Sequence, residues 1–332
     1  MKSVIKKIMP VKIKNLLLML YQRINLMKLQ YIDNKRFRAS YAANKNEYSY
    51  EQIVARITKT YHSIEKGLSY ENTRLGFGKN QINSLLNLLD MYKKSDYPEN
   101  DLTYLTAINN LYKYIKFHED NNYDVSILKK RILDLSINPK CNLGGPHIFK
   151  SEDILSEVNS NFFKFSNSRH SVRTYSKEPV DIHLIEKAIT LAQNTPSSCN
   201  RQPWITRIVS NKDLKSKLIN NQYGNRGFGE LVDSFVIITI DCQYYDVTIE
   251  RSQSYVDGGI YAMNLLYSLH YYGLATCPLS TSLTLKQEKN IRNYFNISSS
   301  ENLILIIAVG NYKENYKVPK STRKSPKIIY YN

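Results

Sequence analysis

Apolar residues recur at helical spacing through the first part of the chain. Over residues 81–93 they fall at positions i, i+3, i+4 and i+7, and the same stripe recurs over residues 102–116. This periodicity predicts amphipathic helices. A turn-forming run over residues 138–146 then divides the chain. We therefore predict a mainly helical region over residues 1–150 and a second domain over residues 151–332.

The second domain alternates between helical stripes and short apolar runs. Residues 235–240 form an uninterrupted run rich in β-branched residues, which is typical of a strand covered on both faces. A helical stripe over residues 182–192 precedes this run, and a longer one over residues 251–272 follows it. These patterns predict an α+β fold in which helices sandwich a sheet.

Positive charge is concentrated at the N-terminal end. The 332-residue chain has a net charge of +17, and residues 1–60 contain thirteen Lys and Arg against three Asp and Glu. Such a segment suits an anionic partner, and the apolar residues among its lysines predict a peripheral contact of residues 1–30 with an anionic membrane surface. No apolar run reaches the ~18 residues that a spanning helix needs. No nucleic-acid-binding motif accompanies the charge, so we expect no nucleic-acid partner.

The cysteine spacing predicts neither a disulfide framework nor a zinc site. The chain has four widely separated cysteines without a CxxC pair, namely Cys141, Cys199, Cys242 and Cys277. His62 and Glu65 lack a third ligand at a suitable spacing, so we expect no bound metal. The cysteine usage and the lack of a signal-peptide pattern favour a reducing, cytoplasmic location.

Two polar motifs lie on either side of the helix predicted over residues 182–192. The first, Arg169-His170-Ser171-Val172-Arg173, puts two guanidinium groups and a hydroxyl group within five residues, and Arg suits bidentate phosphate binding. The second, residues 196–204 with the sequence PSSCNRQPW, is a turn-rich polar loop. Its amide and hydroxyl groups suit a flat heteroaromatic ligand.

In this order the two motifs resemble those of the nitroreductase family of FMN-dependent flavoproteins. Residues 257–266 and 272–279 resemble the family's central helix and the turn after it, and residues 309–312 and 319–323 resemble its last strand and basic tail. The resemblance spans about residues 158–330. It implies an FMN-dependent oxidoreductase that acts as a homodimer with FMN at the interface.

The resemblance also implies roles for individual residues. Arg169 and Ser171 would bind the phosphate and ribityl chain of FMN, with Lys320 or Arg323 closing on the phosphate. Arg173 would lie beside the flavin pyrimidine edge, where a fixed cation stabilises the reduced flavin. Among the remaining implied cofactor contacts is a loop that in this family typically comes from the partner subunit. The remaining implied contacts are His170, Pro196, Ser197, Ser198, Asn200, Gln202, Asn225, Pro278, Leu279 and Ser280.

The implied reaction passes hydride from NAD(P)H through flavin N5 to a small or glycan-linked organic acceptor by a ping-pong mechanism. One alternative is a flavin-dependent oxidase or dehydrogenase of a sugar or lipid-linked glycan in surface polysaccharide synthesis, with the N-terminal region as a cap over the substrate. A second alternative is a non-catalytic basic scaffold at the membrane. Fold alone does not choose among these activities.

Some residues within the matched motifs are expected to have structural roles. His170 is expected to pack or donate a hydrogen bond, because flavin hydride chemistry needs no side-chain base. Cys199 and Cys277 are expected to be small buried fillers. Trp204 is expected to belong to the core.

The most unusual N-terminal stretch joins a charged helical face to a glycine-rich turn. His62, Glu65 and Lys66 fall on one face of a helix, and Gly67 is placed to end that helix. Arg74, with glycines close by, suits an anionic group. The stretch resembles segments of extended nitroreductase-like proteins encoded among bacterial surface-polysaccharide genes. A capped helix with a tight turn and a ligand site are both compatible with this pattern.

Overall fold

The computed structural model describes residues 10–40, 48–133, 135 and 143–331. The N-terminal part is helical, as predicted, with α1 (Val11–Ser40), α2 (Tyr50–Leu68), α3 (Lys79–Lys94), α4 (Leu102–Glu119) and α5 (Ser126–Leu133). A capping box on Ser49 starts α2, and the Asp101 carboxylate accepts backbone N–H groups at the start of α4. The helices predicted over residues 81–93 and 102–116 are confirmed as α3 and α4.

Helices α2, α3 and α4 bury their apolar stripes in one core. Ile57, Leu85 and Leu111 are fully buried there, and the rings of Tyr92 and Tyr104 stack with centroids 5.1 Å apart. Because burial of each large aliphatic side chain contributes about 1.5–3 kcal/mol, this core gives the helical region its own source of stability.

Helix α1 differs from the others because most of its apolar side chains are exposed. It contacts the C-terminal part through two polar pairs. Asn25 Nδ2 donates to Thr248 Oγ1 at 3.0 Å, and Arg251 Nε donates to Asp33 Oδ2 at 2.7 Å. No described helix is long and apolar enough to cross a membrane.

The C-terminal part combines a four-stranded sheet with helices and a separate strand pair. Its strands are β1 (Pro146–Lys150), β2 (Trp204–Val209), β3 (Ser234–Asp241), β4 (Leu274–Ser280), β5 (Glu301–Asn311) and β6 (Asn315–Pro319). Its α-helices are α6 (Ser151–Ser156), α7 (Phe162–Ser168), α8 (Ile182–Ala192), α9 (Lys212–Asn221), α10 (Gln253–Tyr271) and α11 (Leu285–Tyr294). The sheet has the order β2-β3-β5-β4 with antiparallel neighbours, and β1 pairs with β6.

Both faces of this sheet are buried. Along β3, Phe235 and Ile237 join one apolar cluster, whereas Val236 and Ile238 join a second cluster on the opposite face. Residues of α8 and α10 belong to the second cluster, and residues of α9 and α11 to the first. Successive strand residues point to opposite faces of a sheet, so the two clusters show that helices cover both faces. This confirms the prediction of an α+β fold with a helix-covered sheet.

Several predictions fall at the edge of the described residues. Cys141 and most of the predicted break over residues 138–146 lie outside them, as do residues 1–9 of the predicted membrane-contacting segment. The division at residue 150 stays a prediction. Strand β1, which precedes it, pairs with β6 near the C-terminal end.

Candidate cofactor site

The arginine-rich segment of residues 169–175 is fixed against the edge strand β4. Val172 N donates to Thr276 O at 2.8 Å, and the buried Tyr175 hydroxyl donates to Val172 O at 2.9 Å. Gly310 allows this arrangement, because a Cβ there would lie 2.4 Å from the Tyr175 ring. The sheet therefore holds the backbone from which Arg169, Ser171 and Arg173 project.

Arg169 and Arg173 of this segment interact electrostatically with basic side chains from elsewhere in the chain, and we call Lys66, Arg169, Arg173 and Arg323 the cation cluster. Lys66, Arg169 and Arg173 all act electrostatically on the buried thiol of Cys277, and Arg323 acts on Arg169. Burial and the Arg173 charge lower the pKa of Lys66, and burial and Arg323 lower the pKa of Arg169. Like charges at close range are costly, so the cluster favours an anion.

Two buried polar groups at this site have no hydrogen-bond partner. Arg169 Nη1 is buried without a hydrogen-bond partner, and so is Thr322 Oγ1 in the C-terminal tail. Within the part of the chain that the structure describes, no member of the cation cluster forms an ion pair with a carboxylate. Since an unsatisfied buried donor costs about 1–3 kcal/mol, this donor set suits a phosphate group.

His170 is half-buried beside this cluster. Its ring lies 4.6 Å from the Phe149 ring, centroid to centroid. Burial and the neighbouring Arg169, His147 and Arg323 lower the pKa of His170 to about 4. The imidazole is therefore neutral at neutral pH, which agrees with a packing role rather than with acid catalysis.

The C-terminal tail reaches the cluster through a contact with the N-terminal region. Lys320 N donates to Gly145 O at 3.0 Å, and Ser321, with φ of +50°, turns its N–H toward Glu65 Oε1 at 3.3 Å. The Glu65 side chain is fully buried, and its second oxygen lies 3.0 Å from His62 Nδ1. Glu65 thus anchors the tail that carries Arg323.

The stretch around Gly67 differs from its predicted role. Helix α2 continues through Gly67 to Leu68, so Gly67 does not end it. A Cβ at Gly67 would lie 2.2 Å from the Phe77 ring, so the glycine allows Phe77 to pack closely on the helix.

Lys66, which the sequence reasoning did not place at a cofactor site, belongs to the cation cluster. Its spacing within α2 gave no signal of this, because its neighbours lie more than a hundred residues away.

The polar loop of residues 196–202 is strongly constrained. Cys199, Asn200 and Gln202 have positive φ angles of 51°, 54° and 48°. Gln202 N donates to Ser197 Oγ at 2.9 Å and Gln202 Nε2 donates to Asn200 Oδ1 at 3.0 Å, so Asn200 and Gln202 hold the loop. Pro196 at its start is exposed. The loop therefore presents a preformed surface to solvent.

Three structural expectations around the motifs have mixed outcomes. Cys199 is exposed, so the expectation that it is a buried filler is wrong; the left-handed loop turns its side chain outward. Cys277 and Trp204 are buried as expected.

The loop and Arg169 of the cation cluster interact with different parts of α10. Ser198 N donates to Asp257 Oδ1 at 3.2 Å near the start of α10, whereas Arg169 interacts with Tyr267 near the end of that helix. Ten helical residues span about 15 Å. The two sequence motifs therefore meet α10 at opposite ends of this ten-residue span.

The other predicted contacts occupy the end of β4 and an adjoining loop. Leu279 is buried, Pro278 is half-buried and Ser280 is exposed; the Ser280 carbonyl accepts from Gln222 Nε2 at 2.8 Å. The buried Asn225 donates its amide to Ile219 O and Gln222 O at 3.2 and 2.6 Å, which closes its own turn. A cofactor contact of Asn225 stays a prediction.

Comparison with known proteins finds a family whose model matches part of this chain. The model of the nitroreductase family matches residues 167–225 and 236–311. The iodotyrosine deiodinase of Hydra vulgaris is 23% identical over 207 residues, which are 54% of this chain and 75% of that protein. The iodotyrosine deiodinase of Haliscomenobacter hydrossis is 24% identical over 209 residues, which are 54% and 92%. The structure of an FMN-dependent nitroreductase from Clostridium difficile R20291 is 24% identical, covers 46% of this chain and 90% of its own, and has a TM-score of 0.39.

The family match coincides with the features described above. Its first segment contains both the arginine-rich motif and the polar loop, and its second segment contains α10, β4 and β5. Over residues 167–225 and 236–311, the chain matches the nitroreductase family.

Proposed function

We propose that this protein is an FMN-dependent oxidoreductase that uses NAD(P)H to reduce a small organic acceptor. The observation that carries the proposal is the buried, unpartnered Nη1 of Arg169 among cations that have no carboxylate counter-ion in the described chain. A flavin phosphate satisfies that donor and neutralises the cluster.

Bound FMN supplies the hydride transfer, and the protein supplies binding and charge. Arg169 and Ser171 hold the phosphate and ribityl chain, and Arg323 closes on the phosphate from the tail that Glu65 anchors. Arg173 sets a fixed positive charge beside the pyrimidine edge. Because it is preorganised by the backbone of a strand edge, it stabilises developing negative charge without reorganisation.

A homodimer completes this site. The loop of residues 196–202 contacts α10 at Asp257, and Tyr267, which acts electrostatically on Arg169, lies about 15 Å further along the helix. We expect a second copy to contribute its Ser197 and Ser198 to the flavin site. Helix α10 carries an exposed apolar stripe for such an interface, made of Val256, Ile260 and Met263. Exposed apolar side chains at i, i+4 and i+7 fit a helix that pairs with another helix.

The absorption spectrum of the purified protein tests the cofactor. We expect two visible bands and the release of FMN on heat denaturation, identified by chromatography. A colourless protein that also fails to bind added FMN would contradict the proposal. Since two relatives are named iodotyrosine deiodinases, iodotyrosine belongs beside nitroaromatics and quinones among the acceptors to be assayed with NADH and with NADPH.

A further inference from the structure

A cleft of about 670 Å³ lies between the N-terminal helices and the nitroreductase domain. One wall comes from α2 and the turn before α3, and the other from Arg226 and Gly227 of the nitroreductase domain. None of these wall residues belongs to the motifs discussed above except the glycine-rich stretch after His62. That stretch therefore has a candidate role beyond packing.

The cleft has a positive and partly aromatic lining. Arg74 and Arg226 contribute the only charges among its described lining residues, one from each wall, and no carboxylate is among them. Tyr70 and Phe77 add ring surface, and Asn72 adds an amide. Guanidinium groups recognise carboxylate and phosphate, whereas ring surface recognises a planar or apolar body. The Arg226 guanidinium lies over the Tyr223 ring, 4.2 Å from its centroid.

Hydrogen bonds hold the walls in place. The Tyr70 hydroxyl donates to Arg226 O at 2.9 Å and joins one wall to the other. The turn that carries Arg74 is fixed because Gly76 N donates to His118 Nε2 at 2.9 Å, and Tyr114 donates to Phe77 O at 2.7 Å. Binding to such a preformed cleft costs little ordering of the protein.

The cleft leads toward the cation cluster. Gly67 and Tyr70 line it, and Lys66 directly precedes Gly67 in α2. Lys66 and Tyr70 both interact electrostatically with Arg173 and Cys277. A molecule in the cleft can therefore extend from Arg74 and Arg226 toward the place where the flavin pyrimidine edge is proposed.

From this arrangement we infer that the cleft is the acceptor site, and that the acceptor is an organic anion whose carboxylate or phosphate is held between Arg74 and Arg226. This inference rests on the proposed function, because it treats the nitroreductase domain as the source of electrons. It assigns the N-terminal helical region a role in selecting the substrate.

Calorimetric titration with two matched probes, 4-nitrobenzoate and the neutral 4-nitrobenzyl alcohol, tests the inference. The full-length wild type is expected to bind the anion about tenfold or more tightly than the alcohol. The double variant Arg74→Ala/Arg226→Ala should lose most of that preference while its affinity for the alcohol is unchanged. Arg131→Ala, an exposed arginine of α5 outside the cleft lining, serves as the matched control and should behave like the wild type.

Other outcomes have definite meanings. Equal affinity of the wild type for both probes, or an unchanged preference in the double variant, overturns the inference. A double variant that binds NADH more weakly but keeps its preference for 4-nitrobenzoate also overturns it and assigns the cleft to the donor. The flavin absorbance of the same samples is measured separately. A protein that binds the anion but contains no flavin would contradict the proposed function and the acceptor role. Anion binding between Arg74 and Arg226 would still be supported.

Discussion

Two segments bring positive charge to the same place, but they differ in how they do it. In residues 169–175 the cations lie within five positions of one another, and pairing with β4 holds their backbone. In residues 62–77, Lys66 acts electrostatically on Arg173, and Arg74 lines a cleft together with Arg226, so both depend on residues far along the chain. A local cluster leaves a motif in the sequence, whereas a distributed site becomes visible only when the chain is folded.

Substitution of Gly310 should damage the local segment most. In Gly310→Ala the new methyl group would lie 2.4 Å from the Tyr175 ring, and overpacking of this kind costs about 1–3 kcal/mol or more. We expect a lower free energy of unfolding in urea and less retained flavin. A double-mutant cycle with Tyr175→Ala measures the coupling between the two positions. If the losses in unfolding free energy are additive, the new methyl group does not clash with the Tyr175 ring.

Arg169→Ala should leave the fold intact but weaken the cofactor site. A charge-assisted phosphate contact contributes about 1.5–3 kcal/mol, which corresponds to a loss of FMN affinity of about 10- to 150-fold. Fluorescence titration of the flavin-free protein measures it, with Arg131→Ala as the control. Wild-type affinity in Arg169→Ala would remove this residue from the phosphate site.

Gly67→Ala probes the distributed segment. Ala normally stabilises a helix by about 1 kcal/mol relative to Gly, yet contact with the Phe77 ring at 2.2 Å should reverse that sign and lower the melting temperature. In a Phe77→Ala background the same substitution should stabilise the protein. A stabilising effect of Gly67→Ala in the wild type would show that Phe77 does not need the glycine.

The pH dependence of stability gives the smallest predicted effect. The folded pKa of His170 is about 4, below the ordinary value of about 6.5, so the unfolded chain binds more protons between these values. Stability of the flavin-free protein should therefore fall as pH decreases from 6.5 toward 4. His170→Phe should fall less steeply between pH 7 and 5, measured by thermal melting; equal slopes would contradict the burial of a neutral imidazole.

The sequence was sufficient for the elements whose pattern is local. The stripes of α3 and α4 and the apolar run of β3 follow from periodicity, which neighbours along the chain determine. The arginine-rich segment is visible as a compact motif, although β4 holds it in place. The exposed position of Cys199 was missed, since a left-handed backbone in a polar loop leaves no periodic pattern. The roles of Glu65 and Lys66 were also missed, because they depend on Ser321 and Arg173, which only folding brings near α2.

The most direct test of the central claim, that the cation cluster binds the phosphate of a flavin, is to compare FMN with riboflavin on the flavin-free protein. The two ligands share the ring and ribityl chain and differ only in the phosphate. We expect FMN to bind about 100-fold or more tightly, since several charge-assisted contacts are lost with riboflavin. Equal affinities would show that the cluster does not recognise the phosphate and would contradict the account.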